Sequence, residues 1–167
     1  MPNFYNYYMK ENELPYYGVG PYYCGSIIIV TIASIVLSYL NIIPKYSISG
    51  LGFIFNMLGI AMIITAIALW IWGALKSDIH DNIDNDQLIT SGAYAYVRNP
   101  IYSAFLFLAT GMIVFYGNII LFLLPILYWA LLTELMKRTE EKWLEEKFGD
   151  EYRKYCKEVN RCIPWFK

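Results

Sequence analysis

Three long stretches of this chain contain no Asp, Glu, Lys, Arg or His: Leu14 to Pro44, Tyr46 to Leu75 and Ile101 to Thr133. Each is about 30 residues long, and the hydrocarbon core of a bilayer needs about 20 consecutive apolar residues per helix. Inside lipid, every backbone amide must find its partner within the protein, and helices are the solution open to stretches of this length. The first two stretches each hold one spanning helix, near 22–43 and 51–75. The composition agrees: 57% of the residues are hydrophobic and only 16% are charged, against about 25% charged in a soluble domain.

The third stretch is interrupted by Tyr116-Gly117-Asn118, a turn signal. Two arrangements satisfy it: one kinked crossing, or a tight hairpin of two shorter helices near 100–116 and 118–148. The turn residues favour the hairpin. Asn99-Pro100 opens its first helix, with Asn as N-cap and Pro at the first helical position. At 1.5 Å per residue that helix is only about 25 Å long, short for a bilayer without tilt or local thinning. The expectation is an all-α polytopic membrane protein with about four transmembrane helices (22–43, 51–75, 100–116 and 118–136). A cytoplasmic loop, 76–99, and a helical cytoplasmic tail, 137–167, complete a single domain over 1–167.

The positive charges orient this arrangement. Of the 13 Lys and Arg, all but Lys45 fall on the side that carries the N-terminus, the 76–99 loop and the tail. The positive-inside rule places that side, and both termini, in the cytoplasm. Lys10 is matched by Glu11 and Glu13, and the apolar run after it is too long for a cleavable signal. Tyr5, Tyr7, Tyr8, Tyr16, Tyr17, Tyr22 and Tyr23 read as an interfacial belt. In the tail, Trp143, Leu144 and Phe148 extend the fourth helix to a stop at Gly149. Tyr152, Tyr155, Cys156 and Val159 then mark the apolar stripe of a second short helix.

Several function classes drop out. A formal net charge of −1 offers no basic excess for nucleic acid. Three cysteines make no disulfide framework, and no CxxC pair suggests zinc. Gly18-Val19-Gly20 follows no strand, so it is no dinucleotide loop. Asp78, Asp81, Asp84 and Asp86 surround His80, but the calcium-loop pattern fails: Gln87 stands where Gly is needed and Ala93 where Glu is needed. That segment reads as a solvated polar loop, with no metal site. A transporter places ionisable groups inside its helices, and the uncharged stretches have none. Gly52, Asn56 and Gly59 read as helix-packing positions, which leaves the oligomeric state open.

Two constellations carry the candidate chemistry. The first runs from Gln87 through Leu88-Ile89-Thr90-Ser91-Gly92 and Tyr94 to Arg98-Asn99-Pro100-Ile101-Tyr102. The second is Arg138-Thr139-Glu140-Glu141, followed by Phe148-Gly149 and Tyr152, Tyr155. By charge and spacing alone, Arg98 is a juxtamembrane anchor and the two glutamates are a solvated helix face.

In order and spacing, however, the two blocks resemble the isoprenylcysteine carboxyl methyltransferase family of membrane enzymes. Its pattern is L-[VI]-T-S-G-x-Y-x-x-x-R-H-P-x-Y, then a membrane hairpin, R-x-E-E, F-G-x-x-Y-x-x-Y and a late Pro. The likeness covers about 87–166. One position departs: Asn99 stands where that family usually has His, and an Asn-Pro-x-Tyr version resembles the related phospholipid N-methyltransferases. Asn donates and accepts hydrogen bonds but does not titrate near neutrality as His does.

The resemblance implies S-adenosylmethionine as cofactor, with S-adenosylhomocysteine as product, and a lipid-like or prenylated acceptor reached from the surrounding membrane lipids. It implies that Gln87, Leu88, Ile89 and Tyr94 line the cofactor pocket. Asn99, Pro100, Ile101 and Tyr102 then form the opposing wall at a helix N-terminus, and Glu141 meets the donor's amino or ribose groups. Arg138 is the implied acceptor-holding group, and Glu140 the neighbouring catalytic candidate. The expected reaction is methyl transfer to the carboxylate of an isoprenylcysteine-type substrate. The alternatives are phospholipid N-methylation, an NADPH-dependent membrane reductase on a related scaffold, and a non-enzymatic four-helix membrane protein.

Overall fold

In a computed structural model, the described residues are 19–48, 50–75 and 87–164, with the side chain of Leu75 excepted. The tyrosines before Val19, the acidic loop around His80 and the terminal Trp165-Phe166 lie outside them. Among the described residues six α-helices follow in order: α1 Gly20–Tyr39, α2 Gly52–Leu75, α3 Pro100–Tyr116, α4 Leu123–Arg138, α5 Glu140–Phe148 and α6 Asp150–Glu158. Short 3-10 turns at Gly92–Ala95 and Ile119–Phe122 precede α3 and α4.

Among the described residues three stretches are long and apolar enough to cross a membrane: Gly20–Tyr39, Gly52–Ala74 and Ile119–Phe148. Only 17–22% of their most apolar windows is buried within the protein. Ile29, Phe53, Ile64 and Ile126 all point outward, as side chains do when lipid is the solvent. Helix α3 is the shorter apolar helix and the most enclosed. Pro100, Tyr102, Ser103, Ala104, Leu106, Ala109, Gly111, Ile113 and Val114 are buried along it, and it packs against α1, α2 and α4.

The helix ends differ from the sequence expectation in ways that local chemistry explains. Where the pattern predicts 22–43, α1 begins at Gly20, with Pro21 in its first turn, and ends at Tyr39. Asn41 takes the left-handed conformation (φ 59°) just beyond. The predicted 118–148 helix is interrupted at Thr139, whose φ −124° and ψ −95° are not helical. The 116–118 turn is as drawn from sequence: Gly117 (φ 72°) caps α3 through its N–H to Ile113 O at 3.1 Å.

Helices α1 to α4 bring their ends to two poles, with Gly73 of α2 against Pro100 at one and Phe55 of α2 edge-on to Phe122 (centroids 5.5 Å) toward the other. At the first, Val19 N donates to Glu140 Oε1 (3.1 Å), and Pro100 lies against Gly73 near the end of α2. At the second, the fully buried Asn118 amide donates to Ser38 Oγ (2.8 Å) and Pro44 O (3.1 Å), and its carbonyl accepts from Tyr46 N and Ile120 N. Lys45, the lone cation expected on that side, sits 4.1 Å over the Tyr116 ring. Chain neighbours α3 and α4 therefore run antiparallel.

Between the poles, two devices hold the helices. Lipid provides no hydrophobic drive for helix association, so close packing and interhelical hydrogen bonds carry it. Tyr23 O–H donates to Tyr128 O (3.1 Å), and Thr31 Oγ1 pairs with the Tyr128 hydroxyl (3.0 Å). Tyr23, expected in the interfacial belt, is instead a core residue at 2% exposure, whereas Tyr22 is 69% exposed. Gly59 of α2 meets Gly111 of α3 backbone to backbone. A Cβ on Gly59 would lie 2.7 Å from Phe115 N and 2.8 Å from Gly111 O. Gly52 meets open space and Asn56 is exposed, so of the three positions Gly59 is the one packed closely against another helix among the described residues.

Gly59→Ala should therefore force α2 and α3 apart, at a cost of about 1–3 kcal/mol for overpacking, while Gly52→Ala stays near neutral. Thermal unfolding of the two variants in the same detergent checks this: the Gly59 variant should melt several degrees lower.

Candidate functional site

The two sequence blocks meet at the first pole. Residues 87–99 cross the end of the helix bundle, and α5 and α6 fold beside them. Gly149 (φ 53°) makes the turn between α5 and α6 in a conformation that favours glycine. The stripe expected on the last helix faces inward: Tyr152 and Tyr155 are buried, and Tyr155 O–H donates to Tyr94 O at 2.6 Å. Burial pushes both phenols well above their ordinary range. The chain then runs extended from Val159 along the first block. Asn160 bridges Val97 in parallel, and Arg98 N donates to Asn160 O at 2.8 Å.

Neighbouring glutamates at the start of α5 serve two separate clusters. Glu140 turns toward the bundle. Its Oε1 accepts from Val19 N and from the Tyr102 hydroxyl, and the Tyr102 ring stands edge-on to Tyr23, centroids 6.2 Å apart. A Cβ on Gly20 would come within 3.0 Å of the Tyr102 hydroxyl, so the glycine leaves room for that phenol. Tyr94 lies close enough to feel the Glu140 charge: burial first, then that carboxylate, pushes its phenol up to about 12.

Glu141 turns toward the tail. The Arg161 fork grips it with Nε–Oε1 at 2.5 Å and Nη2–Oε2 at 2.8 Å. Arg98 Nη1 lies 3.3 Å from Oε1 on the other side and also donates to Cys156 Sγ. The hydrogen bond to Glu141 raises the Arg161 pKa further, so it stays a cation. Asn99 caps α3 through its carbonyl, which accepts from Ser103 N (2.9 Å). Its side chain makes no cap; Nδ2 donates instead to Arg161 O at 3.1 Å. Asn99 and Glu141 thus converge on one residue, Arg161. Cys162, next to it, is buried, and burial pushes its thiol up to about 11.

The remaining candidates are placed as follows. Gln87 is exposed, and Leu88 and Ile89 are half-buried. Pro100 and Ile101 pack on Gly73 of α2. Arg138 lies on the exposed face of α4, paired with Glu134 one turn back, and belongs to neither cluster. Arg98, Arg161 and the backbone of Val19 join the site although sequence reasoning gave them no role there. The R-x-P spacing marked Arg98, but nothing in the sequence points Val19 at Glu140. An open depression of about 340 Å³ lies beside Glu141, lined by Glu145, Tyr152, Arg153, Cys156 and Lys157. That volume falls within the roughly 300–1,000 Å³ of small-molecule sites. Arg98 Nε and Trp143 Nε1 are buried donors with no acceptor among the described residues. Among those residues, no group of three or more His, Cys, Asp or Glu is placed to hold a metal ion.

Comparison with known proteins bears on the same region. A 78-residue stretch, 46% of this chain, is 40% identical to the protein-S-isoprenylcysteine O-methyltransferase of Schizosaccharomyces pombe. The match spans 33% of that relative's length. No solved structure matches the chain. The family model described as phospholipid methyltransferase matches residues 47–151, from the start of the second membrane helix through both glutamates. The chain, with its Arg98-Asn99-Pro100 and Glu140-Glu141 blocks folded together at one pole, belongs to the phospholipid methyltransferase family.

Proposed function

We propose that this protein is an S-adenosylmethionine-dependent methyltransferase that acts on a lipid-like acceptor at the cytoplasmic face of a membrane. The observation that carries the reading is the meeting of residues 94–102 with Glu140 and Glu141 where the helix bundle ends. In this reading α1 to α4 are four crossings, α3 and α4 form the short hairpin, both termini are cytoplasmic, and 1–167 works as one unit. The polar donor comes from the water side and the acceptor from the lipid side, so a site at the boundary serves both.

The residues fit such a donor. Glu141 at the rim of the depression offers a carboxylate to an ammonium group. Arg98 Nε and Trp143 Nε1 offer donors to ring nitrogens, hydroxyls or a carboxylate. In this reading Leu88, Ile89 and Tyr94 would give apolar and aromatic surface for a nucleoside, with Gln87 at the edge, and Asn99 and Tyr102 would face it, backed by Pro100 and Ile101 on Gly73 of α2. S-adenosylmethionine supplies an electrophilic methyl group on a sulfonium and is released as S-adenosylhomocysteine. The chain's contribution is alignment, since in-line displacement tolerates little misplacement.

The proposed acceptor is the carboxylate of an isoprenylcysteine-type molecule, supported by the relative's printed activity. Arg138 stands exposed at the end of α4, where a guanidinium fork meets an anionic acceptor rising from the bilayer. Such a nucleophile is already charged and needs no base. A second reading, N-methylation of a phospholipid amine, draws on the family's printed description and on the enclosed Glu140. An amine must shed a proton, and Glu140, steadied by Tyr102, is placed to receive it.

Purified full-length protein with methyl-labelled donor, offered a farnesylated N-acetylcysteine and, separately, phosphatidylethanolamine, tests both. Base-labile label on the first substrate is the expected result. Base-stable label on the second moves the assignment to the amine, and no transfer with no donor binding defeats the functional reading. Glu141→Gln should weaken S-adenosylhomocysteine binding at least about tenfold, the scale of one charge-assisted contact. In the amine reading, Tyr102→Phe, which frees Glu140 from its hydroxyl partner, should lower kcat for N-methylation on the order of tenfold or more. A kcat unchanged in Tyr102→Phe would remove Glu140 positioning from the account.

A further inference from the structure

Arg161 touches Asn99 of the first block and Glu141 of the second, and the charges around it do not balance. Two guanidinium groups, Arg98 and Arg161, address a single carboxylate, Glu141. All three side chains are largely enclosed, at 9%, 21% and 12% exposure respectively. Both cations approach the same oxygen, Oε1, so they also repel one another across a short, poorly solvated gap. A buried carboxylate needs one counter-ion, and removing its only partner would be costly. Glu141 has one more than it needs.

Of the two, Arg161 is the one that can leave. Arg98 is the deeper, and its backbone is bonded to Asn160 O. The Arg161 backbone is equally fixed, since its carbonyl accepts from Asn99 Nδ2 and the next residue, Cys162, is buried. Its guanidinium, however, sits on a flexible stem and is the most exposed group of the three. A swing of that side chain leaves Glu141 paired with Arg98 and charge-balanced, while the 159–163 segment keeps its place.

We infer that Arg161 is a positioning residue that gates the amino-acid end of the methyl donor. Its fork holds the Glu141 carboxylate that the donor's ammonium group would take, and donor binding displaces it. The gate rests on the methyltransferase reading above and adds a consequence to it. Ligands that carry an ammonium group must compete with Arg161, and ligands that lack one need not. The nucleoside alone therefore gains nothing when Arg161 is removed.

The test is isothermal titration of the full chain in detergent with two probes: S-adenosylhomocysteine, and 5′-methylthioadenosine, which lacks the amino-acid end. Arg161→Gln should tighten S-adenosylhomocysteine by about tenfold, the size of a partly exposed, bidentate charge-assisted pair, and leave 5′-methylthioadenosine unchanged. Arg161→Lys keeps a cation but loses the fork, so it should tighten the first probe by a smaller factor. This variant keeps the test open if Arg161→Gln fails to fold. Weaker S-adenosylhomocysteine binding with 5′-methylthioadenosine unchanged would make Arg161 a ligand-holding group and overturn the gate. Equal loss for both probes would make it purely structural, and no change for either would make it a bystander; each overturns the gate while the methyltransferase reading stands. Wild-type protein that binds neither S-adenosylmethionine nor S-adenosylhomocysteine would overturn the reading and the gate together.

Discussion

Two adjacent carboxylates, turned about 100° apart on the first turn of a short helix, tie this protein together. Glu140 reaches back to the start of α1 and to Tyr102 of α3. Glu141 reaches outward to Arg98 and Arg161. The break at Thr139 lets α5 leave the direction of α4 and bring both glutamates into the protein. Membrane helices, the 87–99 segment and the tail therefore depend on one local change of backbone direction.

The membrane part is built to hold that pole steady. Apolar side chains face lipid and add little to helix association, so the helices are held by contacts that lipid cannot replace. Gly59 and Gly111 let the backbones of α2 and α3 touch. Tyr128 fastens α4 to α1 through its carbonyl and its hydroxyl. Asn118 gathers the far pole with four hydrogen bonds. The most buried helix, α3, packs against α1, α2 and α4, and its N-terminus carries Asn99, Pro100 and Tyr102. The residues that need the most exact placement start from the most enclosed helix.

Much of this was legible in the sequence because it follows from local rules. Missing charge located the membrane helices, Asn99-Pro100 marked the first residue of α3, and Gly117 marked its last. Gly149 and the Tyr152–Tyr155 stripe marked the turn and the apolar face of the tail helix, and the Tyr155 bond to Tyr94 shows that this face caps the 87–99 segment rather than the bilayer. The likeness of the two blocks anticipated that they meet. What escaped was set by partners distant in sequence. Tyr23 has the same composition signal as Tyr22, and only the position of Tyr128 decides which one is core. Thr139 carries no breaker signal, and its bend comes from where Glu140 and Glu141 find their partners. The Arg161 fork on Glu141 had no local signature, because a tail arginine near a membrane reads first as an interfacial anchor.

Asn99 is where the chain departs from the pattern it resembles, and the geometry gives that departure a physical meaning. Its carbonyl begins α3 and its amide holds the Arg161 carbonyl. Both tasks are hydrogen bonding, and neither requires a group that titrates near neutrality. An amide performs them at every pH at which the fold survives, so nothing in this position's local role asks for a histidine. The consequence falls on the proposed chemistry. If a proton must be removed from the acceptor, Glu140 is the enclosed carboxylate placed to take it. If the acceptor is already an anion, no base is needed and Asn99 costs the reaction nothing. The same two hydrogen bonds thus serve either proposed acceptor, and any proton balance at this pole falls to Glu140 rather than to position 99.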